Sequence, residues 1–253
     1  MANIEVWQKE QSGVVALDFA ADAGAGFEGT TADSFAIPRL VVLQKTSPQV
    51  HSDNRAAYIE GARPGMILET VTGSLYDGRE GVLLIPAAFK TVYTQWAARE
   101  TGEGFKGEHS PEQIQGMRAA GRIVEVERRL YAPLPDGKVN PERCDRFDEV
   151  RQHFCVLVEP SGAHRSVLLG LTSTQIKKSK ALLSMLAAVT VPDVAGRLRP
   201  APTFASMVRM TTVSESNDKG SWYGVRFVLE GWTANRDVYH AARALHASIA
   251  QAE

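Results

Sequence analysis

Cysteines, long apolar runs and a surplus of either charge are all scarce in this 253-residue chain, and each shortage closes off a class of protein. Cys144 and Cys155 are its two cysteines, and their spacing fits neither a disulfide framework nor a CxxC knuckle, so both are expected as free thiols. His153 lies close by, but a fourth ligand at zinc-site spacing is missing and no metal is expected. No apolar stretch reaches the roughly 18 residues of a membrane span. The start, MANIEVWQKE, lacks the basic head and apolar core of a signal peptide, so the protein is expected to stay in the cytosol where it is made. A net charge of −1 argues against strong indiscriminate affinity for polyanions.

Enzyme signatures are equally thin. The chain has no GxxxxGK[ST], GxSxG or HExxH pattern, and its six histidines are scattered. Residues 102–107, GEGFKG, match GxGxxG literally, but no helix opens within them and Pro111 follows soon after, so they read as a flexible loop. The chain is expected to be no enzyme and to carry no cofactor.

What is present is a segregated charge. Between His164 and Thr211, Arg165, Lys177, Lys178, Lys180, Arg197, Arg199 and Arg209 face Asp193 alone, a local charge of +6. Residues 1–34 hold Glu5, Glu10, Asp18, Asp22, Glu28 and Asp33 against Lys9, a local charge of −5. A basic patch on a near-neutral chain points to a polyanionic partner, and an acidic arm accompanies such patches in nucleic-acid-binding proteins. The arm is too weakly apolar to recover its ordering entropy, so residues 1–36 are expected to be flexible.

From Ile37 onward, short alternating or apolar runs bounded by Gly, Pro, Asn and Asp indicate a mainly β protein with appended helices, read here as one domain over 37–253. Strands are expected at 39–45, 65–71, 81–87, 89–98, 122–131, 150–158, 164–171, 204–214 and 221–232. Segment 132–149, with three prolines and many charges, reads as an exposed connection. Helices are expected near 111–120, 174–189 and 236–251. Ser110 with Pro111 and Gln113 forms a capping box for the first, and Thr172 with Gln175 repeats the pattern before the second.

Lys177, Lys178 and Lys180 crowd the start of the second helix, where positive charge opposes the helix dipole at ~0.3–1 kcal/mol each. A bound phosphate would turn that penalty into an attraction. In the hairpin that follows, pairing Ser216 with Ser221 sets Met210 opposite Phe227 and Val208 opposite Leu229 as a core face. The other face then carries Arg209, Thr211, Arg226 and Trp222, with Val213 and Val228, a surface on which bases can stack while phosphates are neutralised. Farther up the chain, Lys90 and Trp96 share one strand face and Phe89 and Tyr93 the other, and the pattern leaves open which pair is core.

The order of IPRLVVLQKTSPQV, YIEGARPGMILETVTGSLYDG, LLIPAAFKTVYTQW, LTSTQIKKSKALLSML and TTVSESNDKGSWYGVRF resembles bacteriophage single-stranded DNA-binding proteins, over residues 37–232. The resemblance implies an OB-fold-like β-barrel that binds exposed single-stranded DNA without sequence preference during phage replication or recombination, in the bacterial host's cytoplasm. Lys177, Lys178, Lys180, Arg209, Arg226, Trp222, Arg165, Lys90 and Trp96 are the expected nucleic-acid-binding residues. Phage proteins of this class often end in an acidic tail, whereas the last residues here, ALHASIAQAE, are expected to form a helix. The amino-terminal arm, with Phe19, Phe27 and Phe35 among carboxylates, is expected to take that part, recruiting phage proteins or occupying the basic face. The sequence also permits a homo-oligomer. The alternative is a phage interaction or self-assembling structural module without nucleic-acid binding.

Overall fold

A computed structural model describes residues 25–30, 34, 36–218 and 220–251. The chain divides into two compact units, Met1–Ala36 and Ile37–Glu253. In the first, Gly26 N donates to Glu28 Oε2 at 2.9 Å and Thr30 Oγ1 to the Phe27 carbonyl at 2.8 Å. Most of the acidic arm, including Phe19 and Phe35, lies outside the described residues.

The second unit is mainly β, with one sheet curled into a half-barrel and a few helices. Its strands are β1 (Arg39–Val42), β2 (Ile67–Glu69), β3 (Leu75–Tyr76), β4 (Val82–Trp96), β5 (Phe105–His109), β6 (Val124–Val126), β7 (Arg129–Tyr131), β8 (Arg146–Val158), β9 (His164–Thr172), β10 (Thr190–Pro192), β11 (Leu198–Pro200), β12 (Ser206–Asn217) and β13 (Gly220–Trp232). The helices are α1 (Pro111–Ala119), α2 (Ile176–Ala187) and α3 (Arg236–Gln251). The sheet runs β13-β12-β4-β8-β9-β1-β2-β3, antiparallel throughout except that β1 lies parallel to β9. Strand β5 adds to β4, β7 to β8, and β10–β11 form a separate hairpin.

Sequence dictates the long central strand in a specific way. Val82 and Leu84 enter the half-barrel interior, while Ile85 and Ala87 face the opposite layer, so both faces are buried and the run VLLIPAA shows no clean alternation. Pro86 lacks the N–H a central strand needs, and the register shifts between Pro86 and Ala88 to accommodate it. The two strands expected at 81–87 and 89–98 are therefore one bulged strand, and the bulge helps it curl.

The interior packs Leu40, Ile67, Leu84, Cys155, Leu157, Val167, Leu169, Met210 and Val225 together. Helix α3 covers the other side of β4 and β8, laying Val238 and Ala242 on Ile85, Ala87, Val156 and Phe204. Helix α1 buries Ile114 against Ile123, Leu130 and Phe147. Leu182 and Leu186 of α2 close on Val208 and the half-buried Phe227. Ser179 of α2 is fully buried and hydrogen-bonds His153 of β8 at 2.8 Å. Burial, with Arg151 nearby, pushes the His153 imidazole down to about 4, so that bond joins two neutral groups. Both cysteines are buried free thiols, and burial pushes the Cys155 thiol up to about 12.

Three local expectations fail for identifiable reasons. Segment 122–131 is a tight hairpin instead of one strand, because Glu127 (φ 49°) and Arg128 (φ 66°) adopt left-handed backbone. The connection drawn over 132–149 ends early, since Arg146 already pairs with Trp96 across β8 and β4. Thr172 caps nothing and ends β9, a 3-10 turn at Ser173–Gln175 intervenes, and α2 starts at Ile176. The box at Ser110 and Gln113 does form, with both reciprocal hydrogen bonds.

Gln175 is diverted from capping to the edge of the sheet. Its Oε1 accepts from Val225 N at 2.9 Å, and Gln44, just beyond β1, takes both backbone groups of Tyr223 at 2.8 and 2.9 Å. Two side-chain amides thus do for part of β13 what a neighbouring strand would do.

Candidate nucleic-acid interface

The β12–β13 hairpin has the register expected from its turn, with Ser216 opposite Ser221, Met210 opposite Phe227 and Val208 opposite Leu229. Its second face carries Arg209, Thr211 and Val213 from one strand and Trp222, Arg226 and Val228 from the other. The same alternation brings Glu215 and Glu230 onto that face, and they change its chemistry. Lys178 Nζ sits 2.8 Å from Glu215 Oε1, and the Trp222 indole N–H and the Gln175 amide donate to Glu215 Oε2 at 2.9 and 3.2 Å. The bond from Lys178, assisted by Gln175 and Trp222, holds the Glu215 carboxyl below its usual range against the opposing effect of burial. A side chain at Gly224 would put its Cβ 2.7 Å from Glu215 Oε2, so glycine leaves room for this cluster.

Arg209 forks onto Glu230, with Nε on Oε1 and a second bond to Oε2 at 2.9 Å. The Arg209 fork likewise lowers the Glu230 carboxyl. Of the three lysines at the start of α2, Lys178 therefore has an internal counter-charge, the Glu215 carboxylate. Lys177, Lys180 and Arg226 are exposed, and among the described residues none of the three forms an ion pair.

Arg165 is placed elsewhere. Its NH2 donates to Glu159 Oε1 and to the Tyr76 hydroxyl, both at 2.7 Å, and its Nε lies 3.7 Å from Glu69. Glu69 is fully buried and accepts from Val71 N at 2.7 Å and Thr72 N at 3.2 Å. Arg165 is thus a counter-charge to the buried Glu69 and the half-buried Glu159. Arg197 and Arg199 share Asp193 at 3.3 and 3.2 Å. The +6 counted along the chain is cut down in space because Glu69, Glu159, Glu215 and Glu230 arrive from outside that window.

The open question on β4 resolves toward Trp96. Tyr93 packs on the α1 cluster and Phe89 lies 5.1 Å from the His153 ring, so they form the packed pair. Trp96 is 39% exposed and meets Phe105, 53% exposed, edge-on at 5.8 Å between centroids. Lys90, half-buried, faces Gln152 on the same strand pair. A shallow cleft beside the rings is lined by Trp96, Ala98, Arg99, Gly102, Cys144 and Arg146.

A protein-family model described as Pam3 phage gp34-like protein matches residues 8–253. The chain belongs to this phage family. Neither the comparison with curated proteins nor that with solved structures gave a match.

In this gp34-like chain Asp145 ties together the residues next to Trp96 and Phe105. Its Oδ1 accepts from Ala98 N at 3.1 Å, and its Oδ2 accepts from Gln95 at 2.7 Å and contacts Lys106 at 3.1 Å. Burial raises the Asp145 carboxyl, but hydrogen bonds from Gln95, Lys106 and Ala98 outweigh it and leave it lowered. Phe105 and Arg146 were not anticipated from sequence. Phe105 lies within the glycine-rich stretch 102–107 read as a loop, and Arg146, paired with Asp148 at 2.7 Å, fell inside the segment read as a connection. Among the described residues of the gp34-like chain no cluster of His, Cys, Asp or Glu is arranged to hold a metal ion, and no helix is long and apolar enough to cross a membrane.

Proposed function

We propose that this phage protein binds single-stranded DNA without sequence preference, through an OB-type barrel built from β4, β8, β9, β12 and β13. The observation that carries the proposal is the strand order β13-β12-β4-β8-β9 with α2 inserted between β9 and β12. Five antiparallel strands in that order, with the first flanked by the second and fourth, match the Greek-key connectivity of an OB barrel. OB barrels engage oligonucleotides around the connections from first to second and from fourth to fifth strand. Here the first of those connections leaves β4 at Trp96 and carries Phe105, and Trp222 lies near the start of β13, just after the second.

Fold alone does not give function, so the reading also needs suitable side chains. Exposed rings offer stacking worth ~1–3 kcal/mol per base. Lys177, Lys180 and Arg226 offer phosphate contacts, with Lys178 and Arg209 as cations that a phosphate must win from Glu215 and Glu230. Tryptophan-fluorescence titration with an oligonucleotide at two salt concentrations tests the reading. The expected log–log slope is about −0.7 per neutralised phosphate, and absence of binding at low salt overturns it. Under this reading the protein acts in phage replication or recombination in the host cytoplasm, with residues 1–36 recruiting other phage proteins or competing for the basic face.

One observation favours the second reading, a phage interaction or self-assembling module: Lys178, Arg165, Arg197, Arg199 and Arg209 all have carboxylate partners. That reading requires no oligonucleotide binding at low salt together with a large, salt-insensitive assembly on gel filtration.

A further inference from the structure

We infer that the chain forms a symmetric dimer by pairing the outer edge of β13 with the same edge of a second copy, antiparallel about Val228. Strand β13 ends the sheet, and among the described residues no strand pairs with it beyond β12. The outward N–H and C=O of Tyr223 are taken by Gln44, and the outward N–H of Val225 by Gln175. By the two-residue period of a strand, Phe227 and Leu229 direct their N–H and C=O groups outward in the same way. This second half of the edge is bordered by exposed apolar side chains, with Val228 43%, Leu229 38% and Trp232 51% exposed. Open apolar edges are templates for strand addition.

Charge selects the occupant and the register. A dyad at Val228 sets Phe227 opposite Leu229 of the second copy, in the hydrogen-bonded type of pair, twice over. It also sets Arg226 opposite Glu230 of the second copy, and the reverse. Arg226 is exposed and, among the described residues, has no ion pair, while Glu230 holds Arg209 on its other side. Each Glu230 would then lie between two guanidiniums. Moving the dyad to Arg226 would face arginine with arginine and would require the Val225 amide that Gln175 occupies; moving it to Glu230 would face two carboxylates. Like charges directly opposite are unfavourable in a sheet, and the dyad at Val228 is the one that sets Arg226 opposite Glu230, so charge favours that register. This inference does not rest on DNA binding, and it gives Arg226 a different principal partner from phosphate.

A contact of one strand pair is smaller than the ~1,200–2,000 Å² of a stable interface, so the dimer is expected to be weak and reversible. Sedimentation velocity of the full chain without nucleic acid, over a concentration series, should show a monomer–dimer equilibrium that salt weakens. Arg226→Glu and Glu230→Arg should each raise the dissociation constant at least tenfold, whereas an equimolar mixture of the two should recover near-wild-type affinity, because every cross-strand pair becomes complementary again. Val228→Lys, which sets lysine against lysine at the dyad, should be monomeric with an unchanged far-ultraviolet circular dichroism spectrum. A wild-type monomer up to about 1 mM, a large salt-insensitive assembly, Arg226→Glu dimerising like wild type, or a mixture that fails to recover would each overturn the inference.

Discussion

The two aromatic surfaces of the half-barrel sheet are built on opposite principles. At Trp222 the indole N–H is spent on Glu215, the ring is half-buried, and Lys178 is bound to the same carboxylate. At Trp96 the ring stands exposed with Phe105 against it, and its N–H is satisfied locally by Thr94 at 3.1 Å. The first surface is already neutralised and must exchange partners to take up a ligand. The second is open but brings little unpaired charge. A polynucleotide that uses both would draw stacking mainly from the Trp96 side and phosphate neutralisation mainly from the lysines of α2.

The largest test of that contrast removes the open rings. Trp96→Ala with Phe105→Ala should weaken oligonucleotide binding by roughly tenfold or more, at ~1–3 kcal/mol per stacked base, while Trp222→Ala should cost only a few-fold. Anisotropy titration of a labelled oligonucleotide measures both, and equal losses would erase the distinction. Next in size, Lys177→Ala with Lys180→Ala should flatten the salt dependence by up to about 1.4 log units per log unit, at about 0.7 per phosphate. Lys178→Ala alone should barely move it.

A smaller effect runs the other way. Glu215→Gln frees Lys178 and should tighten binding a few-fold; unchanged affinity would mean that Lys178 does not face the ligand. The least effect is on stability against pH. Glu215 and Glu230 are lowered in the folded protein, so they contribute stability that is fully present above the ordinary carboxylate value near 4.5 and is lost as pH falls through their lowered values. His153, lowered to about 4 by burial, acts in the same direction, because the unfolded chain takes up a proton from about pH 6.5 downward and the folded one does not. Thermal melts from pH 7 to 4 should therefore show declining melting temperature, with a shallower decline above pH 5 in a variant with His153→Gln.

How much of this could be read from the sequence differs between the two surfaces. The hairpin register followed from local alternation and a turn, and it agrees residue for residue. The same alternation carries Glu215 and Glu230 to that face beside the cations, and a charge count along a window cannot see Glu69 or Glu159 coming from elsewhere in the chain. Gln175 looked like a capping residue because the S/T-x-x-E/Q pattern is local, whereas its partner Val225 is fifty positions away. Phe105 and Arg146 were hidden for the same reason, since only pairing with β4 brings them beside Trp96.

The amides of Gln44 and Gln175 stand where a closed barrel would have a continuous ladder. Three hydrogen bonds from two movable side chains hold that seam, so it is the line along which the fold should first come apart. Amide exchange at Tyr223 and Val225 is then expected to follow brief unlatching of those side chains instead of global unfolding.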